Sequence, residues 1–130
     1  MARILYADDD ANLRGHFERA LPRMGHEVVV VDDAVHAWAL LDSGEKFDCI
    51  ISDWEMPQMD GLSFMRMVRG DARTKDVPFA LISGRDKFDD GRPLKDVCAK
   101  AGAMFFDKAR LSIRDNLGPF FESLGLAKSV

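Results

Sequence analysis

The chain has few cysteines, and the sequence indicates no disulfide framework. Among its 130 residues only Cys49 and Cys98 are cysteines, and their separation matches neither a C-x-x-C redox motif nor a metal-ligand spacing. A chain of this length with 47% hydrophobic residues can bury a sizeable core without cross-links. We therefore expect two buried, reduced thiols, which is the usual state in a reducing compartment such as the cytoplasm.

Long apolar runs and an excess of positive charge are also missing. No stretch of the sequence approaches the roughly 20 apolar residues of a membrane-spanning helix, and its first residues do not resemble a signal peptide. The 18 basic and 22 acidic side chains give a net charge of -4, so no basic stripe is available to contact nucleic-acid phosphates. We expect neither membrane insertion nor direct nucleic-acid binding.

Five short apolar segments alternate with segments of helical periodicity. The apolar segments are typical of strands buried on both faces, and each helical segment carries one apolar stripe. Because parallel strands need long crossover connections, the alternation predicts an α/β fold, a doubly wound five-stranded parallel sheet with helices on both faces. No linker or repeat interrupts it, so we expect one domain over residues 1–130. The predicted strands are Arg3–Ala7, Glu27–Val31, Phe47–Ser52, Val77–Ser83 and Met104–Phe106.

Polar side chains collect where the predicted strands end. Three acidic residues, Asp8 to Asp10, follow the first strand, Asp53 follows the third, Ser83 ends the fourth, and Lys108 follows the fifth. Ligands of open parallel sheets bind at the carboxyl ends of the strands, so we expect these side chains to converge. Each has an ordinary interpretation on its own, such as a helix cap or a surface lysine. Their convergence on one edge indicates a functional site.

The residue types at this edge suit phosphoryl chemistry. Neighbouring carboxylates repel one another, and a divalent cation relieves the repulsion. Oxygen ligands without histidine or cysteine favour Mg²⁺ or Mn²⁺. Asp53 stands alone at a strand exit, where a carboxylate can act as the nucleophile and form an aspartyl phosphate. Lys108 can neutralise developing negative charge, and the Ser83 hydroxyl can donate a hydrogen bond to a phosphoryl oxygen.

Four motifs together resemble the receiver domain of two-component response regulators, in particular the stand-alone chemotaxis-type regulators. They are ILYADDD at 4–10, DWEMPQMDG at 53–61, ALIS at 80–83 and FFDK at 105–108, and the resemblance covers essentially the whole chain. It implies a flavodoxin-like fold with strand order 2-1-3-4-5. It also implies a signalling switch that dephosphorylates itself slowly, not an enzyme.

The resemblance further implies a role for each residue of the site. Asp53 would accept a phosphoryl group from a sensor histidine kinase or a histidine phosphotransfer protein. Asp8, Asp9, Asp53 and the backbone carbonyl of Glu55 would hold Mg²⁺, and Lys108 would be the family's paired lysine.

The resemblance also supplies a switching hypothesis. Ser83 would turn toward the phosphoryl group and Phe105 would move inward, reshaping the face of the fourth helix, fifth strand and fifth helix for a downstream effector protein. The sequence departs from the family pattern on this side. Ala109 replaces the usual proline, the segment before Phe105 is one residue short, the connection from Gly84 to Pro93 is long, and Gly118-Pro119 should kink or restart the last helix.

Two other functions fit parts of the pattern. Asp8 to Asp10 also forms the Asp-x-Asp pair of a haloacid-dehalogenase-like phosphohydrolase, with Asp8 as nucleophile and Ser83 and Lys108 in comparable roles. That interpretation leaves Asp53 and its turn unexplained. A receiver-like docking module that works without phosphorylation is the third possibility, favoured by the altered output side.

Overall fold

Strands and helices alternate along the part of the chain described by the computed structural model, residues 2–126. Met1 and residues 127–130, which belong to the expected domain, lie outside the described residues. A short 3-10 turn, Lys108–Arg110, and a π-helical segment, Ile113–Leu117, connect the last strand to the last helix. The elements are β1 Arg3–Ala7, α1 Ala11–Arg23, β2 Glu27–Val31, α2 Ala34–Asp42, β3 Cys49–Asp53, α3 Gly61–Gly70, β4 Phe79–Ser83, α4 Leu94–Lys100, β5 Met104–Asp107 and α5 Gly118–Ser123.

The five strands form one parallel sheet in the order β2-β1-β3-β4-β5, as predicted. The predicted starts of two strands were wrong by two residues each. Pro78 has no amide hydrogen to donate to the ladder, and β4 begins after it. Asp48 precedes β3 because its side chain accepts a hydrogen bond from the Arg3 amide at 2.7 Å. β3 and β5 each extend one residue further than predicted, to Asp53 and Asp107.

Successive residues of the inner strands point to opposite faces of the sheet, and each face is covered by helices. Helices α1 and α5 pack over one face, where Tyr6 and Ile51 meet Phe17. Helices α2, α3 and α4 pack over the other face, around Leu81. Burial on both faces explains why the inner strands are continuous apolar runs. It also leaves the ends of the strands as the place where polar groups of the sheet can meet.

The first turn of α1 shapes the segment after β1. The carboxylate of Asp10 accepts hydrogen bonds from the amides of Asn12 and Leu13 and thereby caps the helix. The Asp10 amide in turn donates to the carboxylate of Asp8 at 2.9 Å. Asp10 is therefore a structural residue, and Asp8 and Asp9 are the members of the triplet that remain for a site.

In the connection after β5, Ala109 follows Lys108 where the resemblance has proline. The described residues contain no cis peptide bond. Asp107 accepts a hydrogen bond from the Ala109 amide at 3.0 Å and so stabilises the 3-10 turn that begins at Lys108. Further along, Pro119 stands in the first turn of α5, after the π-helical segment. Leu117 and Gly118 both keep right-handed helical backbone angles, so the structure has a change from π-helical to α-helical hydrogen bonding at Gly118-Pro119 rather than a break in the helix.

Both cysteines are free and buried, as expected. Burial raises the pKa of the Cys49 thiol to about 12 and that of the Cys98 thiol to about 11, so both are protonated at neutral pH. Within residues 2–126, no helix combines the length and the apolar character needed to cross a membrane.

The close approach of α3 to the end of β3 requires glycine at position 61. A side-chain Cβ there would lie 2.8 Å from Leu81 Cδ1 and closer still to the carbonyl oxygen of Asp53. We expect Gly61→Ala to lower the free energy of unfolding by about 2 kcal/mol, because strand or helix must shift. Gly70→Ala, in the same helix with no atom within 4 Å of a Cβ, is the control and should be neutral or stabilising. Equal urea midpoints for both variants would contradict this account.

Candidate functional site

Three carboxylates and one lysine meet at the carboxyl edge of the sheet. Asp8, Asp9 and Asp53 each place a carboxylate oxygen within 4.8 Å of the others. The ammonium of Lys108 lies 3.2 Å from Asp8 Oδ2 and 3.4 Å from Asp53 Oδ2. Asp8 is fully buried, Asp53 is 5% exposed, and Asp9 is exposed. The predicted convergence of these four side chains on one edge is thus present in the structure.

Asp53 occupies the last position of the central strand β3. Burial first, and then the charge of Asp8, raise the pKa of its carboxyl to about 7, against the opposing charge of Lys108. Its Oδ1 accepts a hydrogen bond from the Trp54 amide at 3.0 Å, which leaves Oδ2 on the side of Lys108. Asp53 therefore carries a poorly solvated carboxylate that a bound cation would stabilise.

Lys108 is the counter-charge of the cluster. Burial lowers the pKa of its ammonium, but the charges of Asp53 and Asp8 outweigh this effect and raise the pKa above its usual value. Lys108 is consequently positively charged at physiological pH, and its side chain is only 23% exposed. The Lys108 ammonium and the carboxylates of Asp8 and Asp53 therefore stabilise one another at the edge of the sheet.

Tyr6 is the residue of the site that sequence reasoning missed. Its hydroxyl donates a hydrogen bond to Asp8 Oδ2, and its ring is fully buried. Burial and the charge of Asp8 raise the pKa of the phenol far above its usual value, so the hydroxyl stays protonated and donates. The available signal was position, because Tyr6 is the only tyrosine of the chain and stands two residues before Asp8, on the same side of β1.

Ser83 ends β4 beside this cluster. It is buried, and its hydroxyl oxygen accepts a hydrogen bond from the Arg85 amide at 2.9 Å. Ser83 pairs with Asp107 in the ladder between β4 and β5, so it lies one strand from Lys108. The structure thus places the hydroxyl at the predicted edge, at the start of the loop that leads to Arg85.

Glu55 lies two residues after Asp53 at the rim of the site. Its exposed carboxylate is 4.0 Å from the guanidinium of Arg85. The same guanidinium lies over the Trp54 ring, 4.9 Å from its centroid, and also pairs with Asp89 at 2.7 Å. Charges of both signs therefore border the approach to Asp53.

The long connection from Gly84 to Pro93 is ordered as a small hairpin. Lys87 and Pro93 form an antiparallel bridge, and the Phe88 amide donates to the Arg92 carbonyl at 2.9 Å. The Phe88 ring packs edge-on against Trp54, with 5.5 Å between the ring centroids. This segment packs over the residue that follows Asp53.

Phe105 lies in β5 opposite Leu81 and is half-buried. It packs against the core between the sheet and helices α2 to α4, whereas its neighbour Phe106 packs on the other face against Phe120. An inward movement of Phe105 remains a prediction.

The fold and this cluster define the class of the protein. The sequence profile of the response regulator receiver domain matches residues 4–106. The chain belongs to this family. Receiver domains bind Mg²⁺ in an acidic pocket and work as signalling switches, and Asp8, Asp9 and Asp53 form an acidic cluster of that kind here.

Individual relatives and structures agree with this assignment. The chain is 35% identical to the chemotaxis protein CheY1 of Helicobacter pylori over 82 residues, 62% of this chain and 66% of that protein. It is 34% identical to the chemotaxis protein CheY of Pseudomonas aeruginosa over 88 residues, 67% of this chain and 70% of that protein. The alignment spans slightly less than two thirds of the Helicobacter relative.

Solved structures extend the similarity to nearly the whole fold. The receiver domain of the Francisella response regulator 1452 has a TM-score of 0.81 and 26% identity, covering 95% of this chain and 96% of that one. The response regulator TrrA of Thermotoga maritima, in complex with Mg²⁺-BeF, has a TM-score of 0.76 and 26% identity, covering 95% and 99%. The hydrolase alternative, with Asp8 as nucleophile, has no support among these relatives.

The raised pKa of Asp53 predicts a pH-dependent stability in the presence of a chelator. Its folded-state pKa of about 7 exceeds the ordinary value of 3.8, so ionisation is harder in the folded protein, and stability falls as pH rises between these values. We expect Asp53→Asn to stabilise the protein at pH 8 by a few kcal/mol, at about 1.4 kcal/mol per pKa unit, and to have little effect near pH 4.

Denaturant unfolding at both pH values measures this difference. Asp9→Asn is the matched control, because the Asp9 side chain is exposed, and it should change stability less at pH 8. A stabilisation by Asp53→Asn that is equal at the two pH values would contradict the assigned cause.

Proposed function

We propose that this receiver domain is a phosphorylation switch in which Asp53 accepts a phosphoryl group from a sensor histidine kinase or a histidine phosphotransfer protein. The observation that carries the proposal is the placement of the Asp53 carboxylate at the end of the central strand, 3.4 Å from Lys108 and within one cation's reach of Asp8 and Asp9. A buried carboxylate with excess negative charge beside it gains from an incoming cation, which also offsets the further negative charge that a phosphoryl group brings.

The donor set fits Mg²⁺. The three clustered carboxylates offer only oxygen ligands, which Mg²⁺ prefers, and Mg²⁺ usually retains water positions that a phosphoryl oxygen can take. Asp8, Asp9, Asp53 and the backbone carbonyl of Glu55 would hold the ion. When bound, Mg²⁺ supplies positive charge that neutralises the phosphoryl oxygens during transfer.

Each residue has a defined task in the transfer. An Asp53 oxygen attacks phosphorus, the bond from phosphorus to the donor's imidazole nitrogen breaks, and the imidazole leaves while an acyl phosphate forms on Asp53. Lys108, already charged and close to Asp53 Oδ2, pairs with the negative phosphoryl group. Ser83 donates its hydroxyl hydrogen to a phosphoryl oxygen. Attack of water on phosphorus later releases phosphate and restores the carboxylate, which is the slow self-dephosphorylation.

The output rests on the segment that follows Ser83 and on β5. When Ser83 turns toward the phosphoryl group it leaves its contact with the Arg85 amide, and the connection to α4 shifts. Phe105 then moves inward, and the face of α4, β5 and α5 changes for a downstream effector protein. The net charge of -4 favours a protein partner over nucleic acid.

The domain boundaries and the cellular location of the switch are part of the same proposal. One receiver domain would cover residues 1–130, although the family profile matches residues 4–106. Two free, buried cysteines and a histidine-phosphorylated donor both suit a cytoplasmic protein.

Covalent labelling tests the proposal. The protein is incubated with Mg²⁺ and acetyl phosphate, and the label is mapped by mass spectrometry. We expect one base-labile phosphoryl group on Asp53, absent from folded Asp53→Asn and absent when Mg²⁺ is chelated. Label on Asp8 with continuous phosphate release would establish the hydrolase instead, and an unlabelled but folded protein would establish the docking module.

Glu55 is expected to set the lifetime of the phosphoryl group. Its exposed carboxylate at the rim can orient the attacking water, and it contributes no side-chain oxygen to the proposed cation site. Glu55→Asn should lengthen the half-life of phosphorylated Asp53 by about threefold, a barrier change of about 0.7 kcal/mol. Mg²⁺ affinity should change little.

Phosphate release after removal of the donor measures this half-life. Glu18→Asn is the control, since Glu18 is an exposed acidic residue on α1. The phosphoryl group on Asp53 of this variant should have the same half-life as in the unaltered protein. An unchanged half-life in Glu55→Asn would remove Glu55 from this role.

A further inference from the structure

Tyr6 brings a polar group into an otherwise apolar part of the sheet. Its ring is fully buried and stacks on Phe17, with 3.7 Å between ring centroids and 7° between the planes. Apolar residues such as Ile4, Cys49 and Ile51 surround it in the same cluster. A phenylalanine would fill this space equally well, so packing alone does not account for the hydroxyl.

Among residues 2–126, the hydroxyl has one hydrogen-bond partner, the carboxylate of Asp8. It donates to Oδ2, while the Asp10 amide donates to Oδ1 at 2.9 Å and Lys108 lies 3.2 Å from Oδ2. Asp8 is thus held from three directions. The phenol is a well-fixed donor, because its buried ring stacks on Phe17 of α1.

We propose that Tyr6 is a positioning residue for the cation site, its hydroxyl holding the Asp8 carboxylate in the orientation that a divalent cation needs. This inference rests on the proposed function, since it takes Asp8 as a member of that site. A hydrogen-bond donor behind a ligating carboxylate fixes the ligand's rotamer, and loss of such a donor commonly weakens metal binding. Without the hydroxyl, the Asp8 carboxylate is held by the Asp10 amide and Lys108 alone, and its orientation toward the cation is less fixed.

Tyr6→Phe isolates the hydroxyl from the ring. We expect Mg²⁺ affinity, measured by isothermal titration calorimetry, to fall by about tenfold in this variant. Phe17→Leu is the matched control, because it disturbs the stacking and keeps the hydroxyl; its Mg²⁺ affinity should stay within about twofold of the unaltered protein. Equal affinities for Tyr6→Phe and the unaltered protein would overturn the inference, and so would an equal loss in both variants, which would indicate a packing effect.

A second measurement needs no substitution. Tyr6 is the only tyrosine in the chain, so protein labelled with ¹³C at the tyrosine Cζ gives one resonance that reports its hydroxyl. We expect Mg²⁺ to shift this resonance along the same titration curve that calorimetry gives. A resonance that does not move while Mg²⁺ binds would contradict the inference even where Tyr6→Phe fails to fold.

The two proposals fail in different ways. Absence of Mg²⁺ binding to the unaltered protein would overturn the cation site and the role of Tyr6 together. Normal binding with no effect of the hydroxyl would overturn the role of Tyr6 and leave the phosphorylation switch intact.

Discussion

The contact of Lys108 with Asp8 and Asp53 is the constraint on which the site depends. β1 and β3 are neighbours in the sheet, so the acidic residues at their ends are brought together. Asp8 is fully buried and Asp53 nearly so, and water cannot screen their repulsion. Lys108 follows β5, which lies two strands from β3 and three from β1. Its ammonium is 3.2 Å from the Asp8 carboxylate and 3.4 Å from that of Asp53. Three carboxylates against one ammonium still leave excess negative charge, and that excess is what makes the edge receptive to a cation.

The rest of the fold positions the residues of this edge. Burial of both faces of the sheet confines its polar groups to the ends of the strands. Gly61 allows α3 to start directly against the carbonyl of Asp53, and Asp10 caps α1 so that Asp8 turns inward. Such packing restricts the movement of the reacting groups, which is the pre-organisation that phosphoryl transfer requires. The proposed response begins in the loop after Ser83.

The sequence predicted the parallel sheet and the convergence of the charged residues, because these follow from apolar periodicity and from the side chains that parallel strands place at their ends. The strand order was implied by the resemblance to receiver domains. The first residues of β3 and β4 were less predictable, because each depends on one local feature that periodicity does not show. These features are the hydrogen bond from the Arg3 amide to the Asp48 side chain and the missing amide hydrogen of Pro78. The hydrogen bond from Tyr6 to Asp8 was missed because tyrosine in an apolar strand looks like core. The packing of Phe88 on Trp54 depends on a hairpin that the periodicity of the sequence does not predict.

The most direct test of the account is a crystal structure of the protein grown with Mg²⁺ and beryllium fluoride, the complex in which TrrA of Thermotoga maritima has been solved. The account predicts electron density for the fluoride complex joined to an oxygen of Asp53, with Mg²⁺ beside Asp8 and Asp9 and the Lys108 ammonium in contact with a fluorine. Density joined to Asp8, or none at Asp53 at saturating Mg²⁺ and beryllium fluoride, would contradict it.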